Sequence, residues 1–249
     1  MHSMPASGAE PKGTTGEQNA SEAVQSMFNE IAPRYDLANH ILSASIDRLW
    51  WRNTARSFQH ILQQPDATVV DLCCGTGDMT MALLRHRPQD GRPLLAIDFA
   101  HEMLIRGQNK FSFRGAIAIE GDALSMPLAD DTADLLTTAF GFRNLANYSA
   151  GLQEMYRVLR PGGEIGILDF SEPTGLLGKF YQFYFRHVLP RIGKLLSGSA
   201  GPYTYLPQSV RRFPPPAEIL EMMRDCGFTK TSWIPYTFGI AGLYRGVKR

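Results

Sequence analysis

The stretch over residues 69–78 constrains the fold of this chain more than any other. Two valines are followed by Asp71, and then by Gly75 and Gly77, which are one residue apart. The apolar residues after Asp78 are spaced as in a buried helix. A β-branched run, a glycine turn and a helix in this order form the opening unit of a doubly wound α/β sheet. Ligands of such sheets bind beyond the carboxyl ends of the strands, so this turn predicts where the site lies.

The glycine turn also indicates the class of ligand. Gly75 and Gly77 permit positive φ angles and close approach of a ligand to the backbone, and the free amides of the following helix favour a carboxylate or phosphate. Thr80 stands where a dinucleotide fingerprint needs its third glycine, which speaks against that class. With Asp71 ahead of it, the turn resembles D-x-x-x-G-x-G, the first motif of Rossmann-like methyltransferases that use S-adenosylmethionine. The alternative is a turn whose glycines merely let the helix pack on the sheet.

Acidic residues end the next two predicted strands. The strand over residues 93–98 ends in Asp98, where α/β nucleotide sites place a carboxylate on the ribose hydroxyls. The strand over 116–120 leads into Asp122, whose carboxylate would accept from the exocyclic amine of adenine. Taken singly, Asp98 is a helix cap and Asp122 a turn former. Together, at successive strand ends, they favour an adenosine site.

A fourth strand, over residues 133–139, precedes Phe140-Gly141-Phe142-Arg143-Asn144. A cation and an amide at the mouth of an α/β site rarely belong to the core, so Arg143 and Asn144 are predicted site residues. The remaining predicted elements are a helix near 148–159 stopped by residues 160–163, a fifth strand over 164–170, a helix over 218–226, and a closing antiparallel hairpin of strands over 229–236 and 237–247. The whole is an α/β fold with a seven-stranded, mostly parallel sheet.

Composition divides the rest of the chain. Residues 1–20 have almost no apolar side chains and are predicted to be a disordered tail, and residues 21–249 to form one domain. Within it, residues 21–62 form an N-terminal helical cap, in which Tyr35 lies beside a break. Residues 171–212 form an insertion with apolar residues at helical spacing, several basic residues and Glu172 as its one acid. That insertion fits an amphipathic helix on an anionic membrane, a lid over an apolar substrate, or a helix packed on the core.

Charge and cysteine content limit the function classes. The 249 residues carry a net charge of +1, so no overall basic field attracts nucleic acid. Cys73 and Cys74 are adjacent in a predicted buried strand, and with Cys226 they offer neither a disulfide framework nor a zinc site. They are typical of small core residues in a reducing cytosol. No apolar run reaches the roughly 20 residues of a spanning helix. We therefore expect a cytoplasmic protein, one that at most lies on the inner face of a membrane.

The chain resembles the ubiquinone/menaquinone biosynthesis C-methyltransferase family from about Val24 to Lys248. The glycine turn and Arg160-Pro161-Gly162-Gly163 are shared with many methyltransferases, whereas other segments are particular to this family. These are Ile31-Ala32-Pro33-Arg34-Tyr35-Asp36, Phe140-Gly141-Phe142-Arg143-Asn144, and His187-Val188-Leu189-Pro190-Arg191-Ile192-Gly193.

The resemblance implies S-adenosylmethionine as cofactor and no metal. By position, the cofactor contacts fall on Thr76, Asp98, Asp122 and Ala123, beside Asp71 and the glycines Gly75 and Gly77 of the turn. Many members have a serine where this chain has Ala139, so no side-chain hydroxyl is available there. Members commonly have Ala-Gly where this chain has Cys73-Cys74, and the Cys-Cys version is familiar in menaquinone and phylloquinone pathways, which favours a naphthoquinol substrate.

The implied reaction is transfer of a methyl group to a ring carbon of a prenylated quinol, demethylmenaquinol to menaquinol. The ring carbon attacks well only when a neighbouring hydroxyl is ionised. For a phenol of pKa about 10, ionisation near pH 7 needs about 4 kcal/mol. A desolvated arginine has an effect of that size, so Arg143 is predicted to stabilise the phenolate and Asn144 to orient the ring. Tyr35 is a further substrate-side candidate, and Tyr35, Asp36, His187 and Tyr205 remain open as general bases.

Other functions stay open from the sequence. They are C-methylation of a polyprenyl benzoquinol in ubiquinone biosynthesis, methylation of another small molecule, and a non-catalytic cofactor-binding assembly subunit of the same fold. A homodimer and contact of residues 171–212 with a membrane are also open, whereas nucleic-acid methylation is disfavoured by the near-neutral charge.

Overall fold

The computed structural model of the chain describes residues 8–11, 13–34, 46–173 and 201–249. The seven strands that these residues contain form one sheet in the order β3-β2-β1-β4-β5-β7-β6. Strands β1 to β5 are mutually parallel, and β7 is antiparallel to both β5 and β6. This confirms the predicted mostly parallel sheet with its antiparallel hairpin. The strands are β1 Val69–Leu72, β2 Leu94–Asp98, β3 Ala116–Glu120, β4 Ala133–Ala139, β5 Leu159–Phe170, β6 Phe228–Tyr236 and β7 Ala241–Lys248.

Helices cover both faces of the sheet, as the apolar character of its central strands requires. All four residues of β1 are buried, and six of the seven in β4. Burial on both faces favours apolar residues, yet each strand also carries buried polar side chains, Asp71 in β1 and Asp134, Thr137 and Thr138 in β4. The helices are α1 Glu17–Ile31, α2 Asp47–Ser57, α3 Gln59–Leu62, α4 Asp78–Leu84, α5 His101–Phe111, α6 Tyr148–Val158, α7 Gly201–Arg212 and α8 Pro216–Asp225.

The N-terminal region differs from its prediction. Helix α1 begins at Glu17, not near Ser21, because Gly16 in a positive-φ conformation (φ 84°) turns the chain and Glu17 places an acid in the first turn. Upstream of it, the Ala9 amide donates to the Leu145 carbonyl over 2.7 Å. Residues 8–11 and 13–20 belong to the described residues, residues 1–7 and 12 lie outside them, and the disordered tail over 1–20 stays a prediction.

The predicted second helix of the cap is two helices in the described part. Phe58 (φ −114°, ψ 16°) interrupts the helical backbone between α2 and α3. Phe58 is fully buried, and its ring packs on β5 at Gly166, where a Cβ would lie only 2.5 Å from the ring. This packing explains the break between the two helices. Of the segment that precedes α2, residues 35–45 lie outside the described residues.

Two other predicted boundaries are wrong in instructive ways. Strand β1 ends at Leu72, so Cys73 (φ 54°) and Cys74 lie in the turn and not in the strand. Strand β5 begins at Leu159, directly after α6, and Leu159 pairs with Ala133 before the register shifts. The Arg160–Gly163 stop is thus an irregularity within the strand.

The insertion is only partly described. Residues 171–173 and helix α7 belong to the described residues, while 174–200 lie outside them. Within the described ranges, no helix is both long enough and apolar enough to cross a bilayer.

Candidate functional site

A cleft lies at the carboxyl ends of the parallel strands, where the glycine turn predicted it. About 670 Å³ of space in and above it, open solvent included, is free of protein atoms. The turns that follow β1, β2, β3 and β4 all contribute to its wall, and helix α1 closes one side. The residues that line it include Phe28, Cys73, Gly75, Asp98, Gly121, Asp122, Ala123, Phe140, Gly141 and Asn144.

The glycine turn leaves its backbone open to the cleft. Gly75 has φ 53°, and a Cβ built there would meet no atom within 4 Å, so a ligand can approach the backbone at this point. Gly77 (φ 85°) has a different role, because a Cβ there would lie 2.4 Å from the Phe111 ring. Gly77 therefore permits both the left-handed turn and the packing of α4 on α5.

Asp98 joins the ends of β1 and β2. One carboxylate oxygen accepts from the Gly75 amide (2.7 Å) and the other from the Ala100 amide (2.8 Å). The side chain is buried, and burial raises the pKa of Asp98 to about 6. The N-cap of α5 is Ala100, whose amide Asp98 binds, so Asp98 holds the start of the helix without being its cap, and its carboxylate can accept further hydrogen bonds from hydroxyls in the cleft.

Asp122 and Ala123 form the corresponding turn after β3. The Asp122 carboxylate accepts from the Leu124 amide over 2.9 Å, which makes it a turn former. The same side chain is exposed and lines the cleft, whereas Ala123 is buried. Gly121 donates its amide to the Asp98 carbonyl over 3.0 Å, which links the two acidic strand ends. The turn-forming bond of Asp122 is observed, and the nucleoside contacts of Asp98 and Asp122 stay predictions.

Asp71 is placed behind the cleft. It is fully buried within β1 and accepts hydrogen bonds from the hydroxyls of Thr80 (2.6 Å) and Thr137 (3.1 Å). Burial raises the pKa of Asp71 to about 7 despite these bonds. Asp71 therefore links β1 to helix α4 and strand β4 by hydrogen bonds, and it supports the glycine turn from the side away from the cleft.

The turn after β4 is held by a buried ion pair. Asp169, at the end of β5, is fully buried and accepts from the Arg143 backbone amide (3.0 Å) and from its guanidinium Nη1 (3.1 Å). Arg143 Nη1 also bonds the Phe140 carbonyl, as does the Asn144 side-chain amide at 3.1 Å. Phe140 has φ 59°, an unfavourable angle for a bulky residue, which these bonds hold in place.

Arg143 and Asn144 therefore occupy different positions relative to the cleft. Asn144 lines it, and its carbonyl oxygen accepts from the Tyr205 hydroxyl over 3.2 Å. The Arg143 guanidinium lies beneath the turn, and the residue is 6% exposed. Its Nε atom is buried and has no hydrogen-bond partner among the described residues. Burial raises the pKa of Asp169, while the arginine charge opposes that shift.

An aromatic cluster extends the wall of the cleft toward helix α2. The rings of Phe140 and Phe170 are 4.6 Å apart, and Trp50 of α2 lies 6.0 Å from each. The Arg143 guanidinium lies over the Phe170 ring at 5.2 Å. Phe140 belongs to both the cluster and the cleft, so an aromatic substrate ring beside it would meet an apolar wall.

The structure brings together five of the predicted site residues on the cleft wall: Gly75, Asp98, Asp122, Ala123 and Asn144. Asp71, Thr76, Gly77 and Arg143 lie beneath the turns that form this wall, and Thr76 is buried. Tyr35, Asp36 and His187 lie outside the described residues. Their predicted roles stay predictions.

Sequence reasoning missed Asp169 and the contribution of α1. Asp169 precedes the last residue of an apolar strand, as Asp98 ends another, and that shared pattern was available as a signal. Phe28 lies in the segment that was expected to form only a helical cap, but it lines the cleft. Gln25 Nε2 and Asn29 Oδ1 fasten α1 to the turn after β2 and to α5, by bonds of 2.6 and 3.0 Å.

Comparison with known proteins identifies the family. The sequence model of the ubiE/COQ5 methyltransferase family matches residues 15–248. The chain belongs to the ubiE/COQ5 methyltransferase family. It is 46% identical over 237 residues to the demethylmenaquinone methyltransferase of Deinococcus radiodurans, covering 94% of this chain and 95% of the relative. It is 41% identical to the ubiquinone/menaquinone biosynthesis C-methyltransferase of Geobacter sulfurreducens, covering 91% of this chain and 89% of the relative.

Solved structures agree on the fold of this ubiE/COQ5 family member. A SAM-dependent methyltransferase from Thermotoga maritima has a TM-score of 0.62 at 17% identity, over 91% of this chain and all of that one. The 4+2 cyclase SpnF has a TM-score of 0.65 at 13% identity, over 97% and 98% of the two chains. Because one fold includes a cyclase and a methyltransferase, the chemistry is assigned from the family and the site, not from the fold.

Proposed function

We propose that this methyltransferase transfers the methyl group of S-adenosylmethionine to a ring carbon of a prenylated quinol, converting demethylmenaquinol to menaquinol. The observation that carries the proposal is the single cleft that joins the glycine turn and its two acids to the Phe140–Asn144 turn. The first part suits a nucleoside with a charged tail, and the second is the segment most particular to the family. The 46% identity to a demethylmenaquinone methyltransferase supports the naphthoquinol head group.

In this proposal the acids and glycines hold the cofactor. The open backbone at Gly75 receives its charged tail, the Asp98 carboxylate accepts from the ribose hydroxyls, and Asp122 accepts from the adenine amine beside Ala123. Thr76, Asp71 and Gly77 keep the turn in shape. When bound, S-adenosylmethionine supplies a methyl group that is already activated. The work left to the protein is to ionise and orient the quinol.

Arg143 is the residue we propose for ionisation. Lowering a phenol pKa from about 10 toward 7 needs about 4 kcal/mol. The guanidinium is 6% exposed, so water screens its field little. Asp169 opposes that field, so the proposal requires that the guanidinium lie nearer than the carboxylate to the quinol oxygen. The phenolic proton leaves to solvent or to a base among the residues left open above. After the methyl group is added, the hydrogen of the same ring carbon leaves as a proton and the quinol oxygen takes one up, which restores the aromatic quinol.

Asn144 and the aromatic wall at Phe140 are the groups we propose to orient the quinol ring. Asn144 is on the cleft surface, and its amide geometry is fixed by Phe140 and Tyr205. Phe140 presents a face against which a naphthalene ring stacks. Holding the ring carbon in line with the methyl group supplies up to about 7–11 kcal/mol of the acceleration. Tyr35 is retained as a substrate-side residue of the proposal.

Two partner assignments also belong to the proposal. The prenyl tail places the substrate in a membrane, and the 171–212 insertion is proposed to contact that membrane. A homodimer is the second assignment. No nucleic acid is implied by the family or by the net charge of +1.

The decisive experiment is mass spectrometry of the quinones in cells that lack the protein. We expect a demethylated naphthoquinone to accumulate, and expression of the intact chain to restore the methylated form. Accumulation of a demethylated benzoquinone would instead assign the ubiquinone pathway. An unchanged quinone pool, together with saturable S-adenosylmethionine binding by the purified chain, would support the non-catalytic subunit.

A further inference from the structure

Three apolar side chains are exposed beside the carboxyl edge of the sheet. Ile46 and Leu49, at the start of α2, are 39% and 42% exposed, and Phe238, in the turn between β6 and β7, is 84% exposed. The two elements touch, because Trp50 Nε1 donates to Thr237 Oγ1 over 2.8 Å. Trp50 in turn lies 6.0 Å from Phe140 of the cleft. These side chains are therefore neighbours of the candidate site.

The backbone that presents Phe238 is unusual. Thr237, Phe238 and Gly239 have φ angles of 44°, 57° and 85°, three consecutive residues in the left-handed region. L-residues adopt this conformation singly and at a cost, and such strain persists where the surroundings enforce it. Two side chains contact this turn: the Ser171 hydroxyl donates to the Gly239 carbonyl over 2.6 Å, and Trp50 Nε1 donates to Thr237 Oγ1. A strained turn that projects an aromatic ring into solvent indicates a binding role for the ring.

Exposed charge beside these side chains is mainly positive. Arg48 and Arg52 are exposed one helical turn apart on α2, and neither forms an ion pair with a carboxylate among the described residues. The one acid of α2, Asp47, is 3% exposed. Residues 227–249, which include the Phe238 turn, contain no Asp or Glu. Glu172, after β5, is an exposed carboxylate at this end of the sheet, and the two arginines outnumber it.

We infer that Ile46, Arg48, Leu49, Arg52 and Phe238, which we call the α2 rim, dock this protein on an anionic bilayer surface. Arginines suit lipid phosphates, and aliphatic and aromatic side chains suit the boundary between headgroups and acyl chains. The inference rests on the proposed function in one respect, that a prenylated quinol is held in such a bilayer. It adds to the contact proposed for the 171–212 insertion a second contact made by residues outside that insertion, and it places the Phe140 wall toward the lipid.

The test is sedimentation of the full chain with quinone-free vesicles of phosphatidylcholine, with and without phosphatidylglycerol. We expect binding that requires the anionic lipid and weakens with salt. Each arginine near an anionic surface contributes about fivefold, so R48Q/R52Q should bind about 25-fold more weakly. Phe238→Ser should lose about tenfold or more, since it removes a buried aromatic side chain from the bound state.

Matched controls lie at the opposite end of the sheet. Phe113 is 94% exposed and precedes β3, so Phe113→Ser removes a ring at least as exposed as Phe238 from the end of the sheet opposite to the α2 rim. R106Q/R114Q removes two exposed charges from the α5–β3 region. Equal losses in these controls, or rim variants that bind like the parent, would overturn the inference. Hydrogen exchange on the unaltered chain needs no variant: vesicles should protect residues 46–52 and 236–240, and absence of protection there also overturns it.

The outcome is separable from that of the proposed function. Turnover of a tail-less, water-soluble demethylnaphthoquinol should be the same for the parent and the rim variants. Intact turnover without vesicle binding contradicts the α2 rim alone. Vesicle binding without turnover of any demethylated quinol contradicts the proposed function alone.

Discussion

Asp98 shows how one side chain serves both structure and binding. Its two oxygens take the Gly75 and Ala100 amides, so removing the side chain releases the glycine turn as well as the proposed ribose contact. Sequence reasoning allowed both helix capping and ribose binding; the structure has Ala100 as the cap residue, and the ribose contact stays a prediction. A carboxylate with two acceptor oxygens has enough lone pairs for the two amides and a ribose hydroxyl.

We predict that Asp98→Ala weakens S-adenosylmethionine binding by about 10- to 100-fold, the scale of hydrogen bonds to a charged group. Asp98→Asn should lose less, because its amide oxygen still accepts from one backbone amide. Isothermal titration calorimetry measures both. Equal affinity in the parent and the alanine variant would remove the ribose contact from the proposal.

Substitution of Arg143 tests the part of the site that we propose to bind the quinol. We predict that Arg143→Ala lowers turnover by about 10²–10³, the cost of losing one charge-stabilising donor, while cofactor affinity changes little. The rising limb of the kcat–pH profile should move to higher pH, because the phenolate loses its stabilising charge. A purely structural arginine would lower activity without moving that limb.

The same substitution has a stability cost that needs its own control. Arg143→Ala leaves Asp169 charged and buried, which costs about 3–5 kcal/mol. The double variant Arg143→Ala/Asp169→Asn removes the unpaired charge and should recover much of the unfolding free energy. If turnover stays low in that double variant, the loss is chemical.

At the scale of elements, the turns at the strand ends depend on each other. A Cβ at Gly141 would lie 2.3 Å from the Cys73 Cβ, so the turns after β1 and β4 are in direct contact. Cys73 and Phe140, one in each turn, both have positive φ. Asp71 connects the same elements from below through Thr80 and Thr137. The site is therefore a property of β1, β4 and α4 together.

Asp71 gives this connection a pH dependence. The pKa of Asp71 is raised from 3.8 in an exposed chain to about 7 in the folded protein. Between these two pH values the folded protein therefore holds a proton on Asp71 that the unfolded chain has released. Stability should therefore fall as pH rises from about 4 to 7, by about 4 kcal/mol in total. Asp71→Asn keeps an acceptor oxygen without the charge, and should flatten this slope in urea unfolding.

Asp98 contributes to the same window, with a pKa of about 6, and supplies the control. Asp71→Asn should leave a smaller residual slope below pH 6, which the further change Asp98→Asn removes. An unaltered slope in Asp71→Asn would mean that Asp71 stays ionised through other partners.

At the scale of the whole molecule, the C-terminal hairpin completes the sheet. Strand β7 pairs with β5 over seven residues, from Glu164 opposite Val247 to Phe170 opposite Ala241. Without β7, β5 would be an edge strand. Asp169, the buried partner of Arg143, would then be uncovered on that side. The hairpin thus supports a site to which it contributes no cleft residue among the described ones.

We predict that Leu243→Ala in β7 costs about 2–5 kcal/mol of unfolding free energy, since Leu243 is fully buried. Ile234→Ala in β6 is the matched control, because Ile234 is 36% exposed and should cost less. Urea denaturation followed by circular dichroism compares the two. Equal losses would show that the hairpin packs differently from the arrangement described.

Several features could be predicted because they depend on chain order alone. Parallel strands end at one edge, so an apolar run that ends in an acid or glycine places that residue at the site; Gly75, Asp98 and Asp122 were found in this way. Element ends were less predictable, because packing shifts them. The Phe58 ring against Gly166 divides a helix, and a left-handed Gly16 starts another early.

By itself, the sequence determined the order of strands and helices, the glycine turn, the acids along its edge and the family. Only the tertiary structure decided which acids face the cleft. Asp71 and Asp98 follow similar apolar runs, yet Thr80 and Thr137 surround one carboxylate while the other faces the cleft wall. It also decided that Arg143 pairs with Asp169, 26 residues away, because pairing of β4 with β5 brings their ends together. The direction of a side chain depends on its neighbours in space, which residue order does not specify.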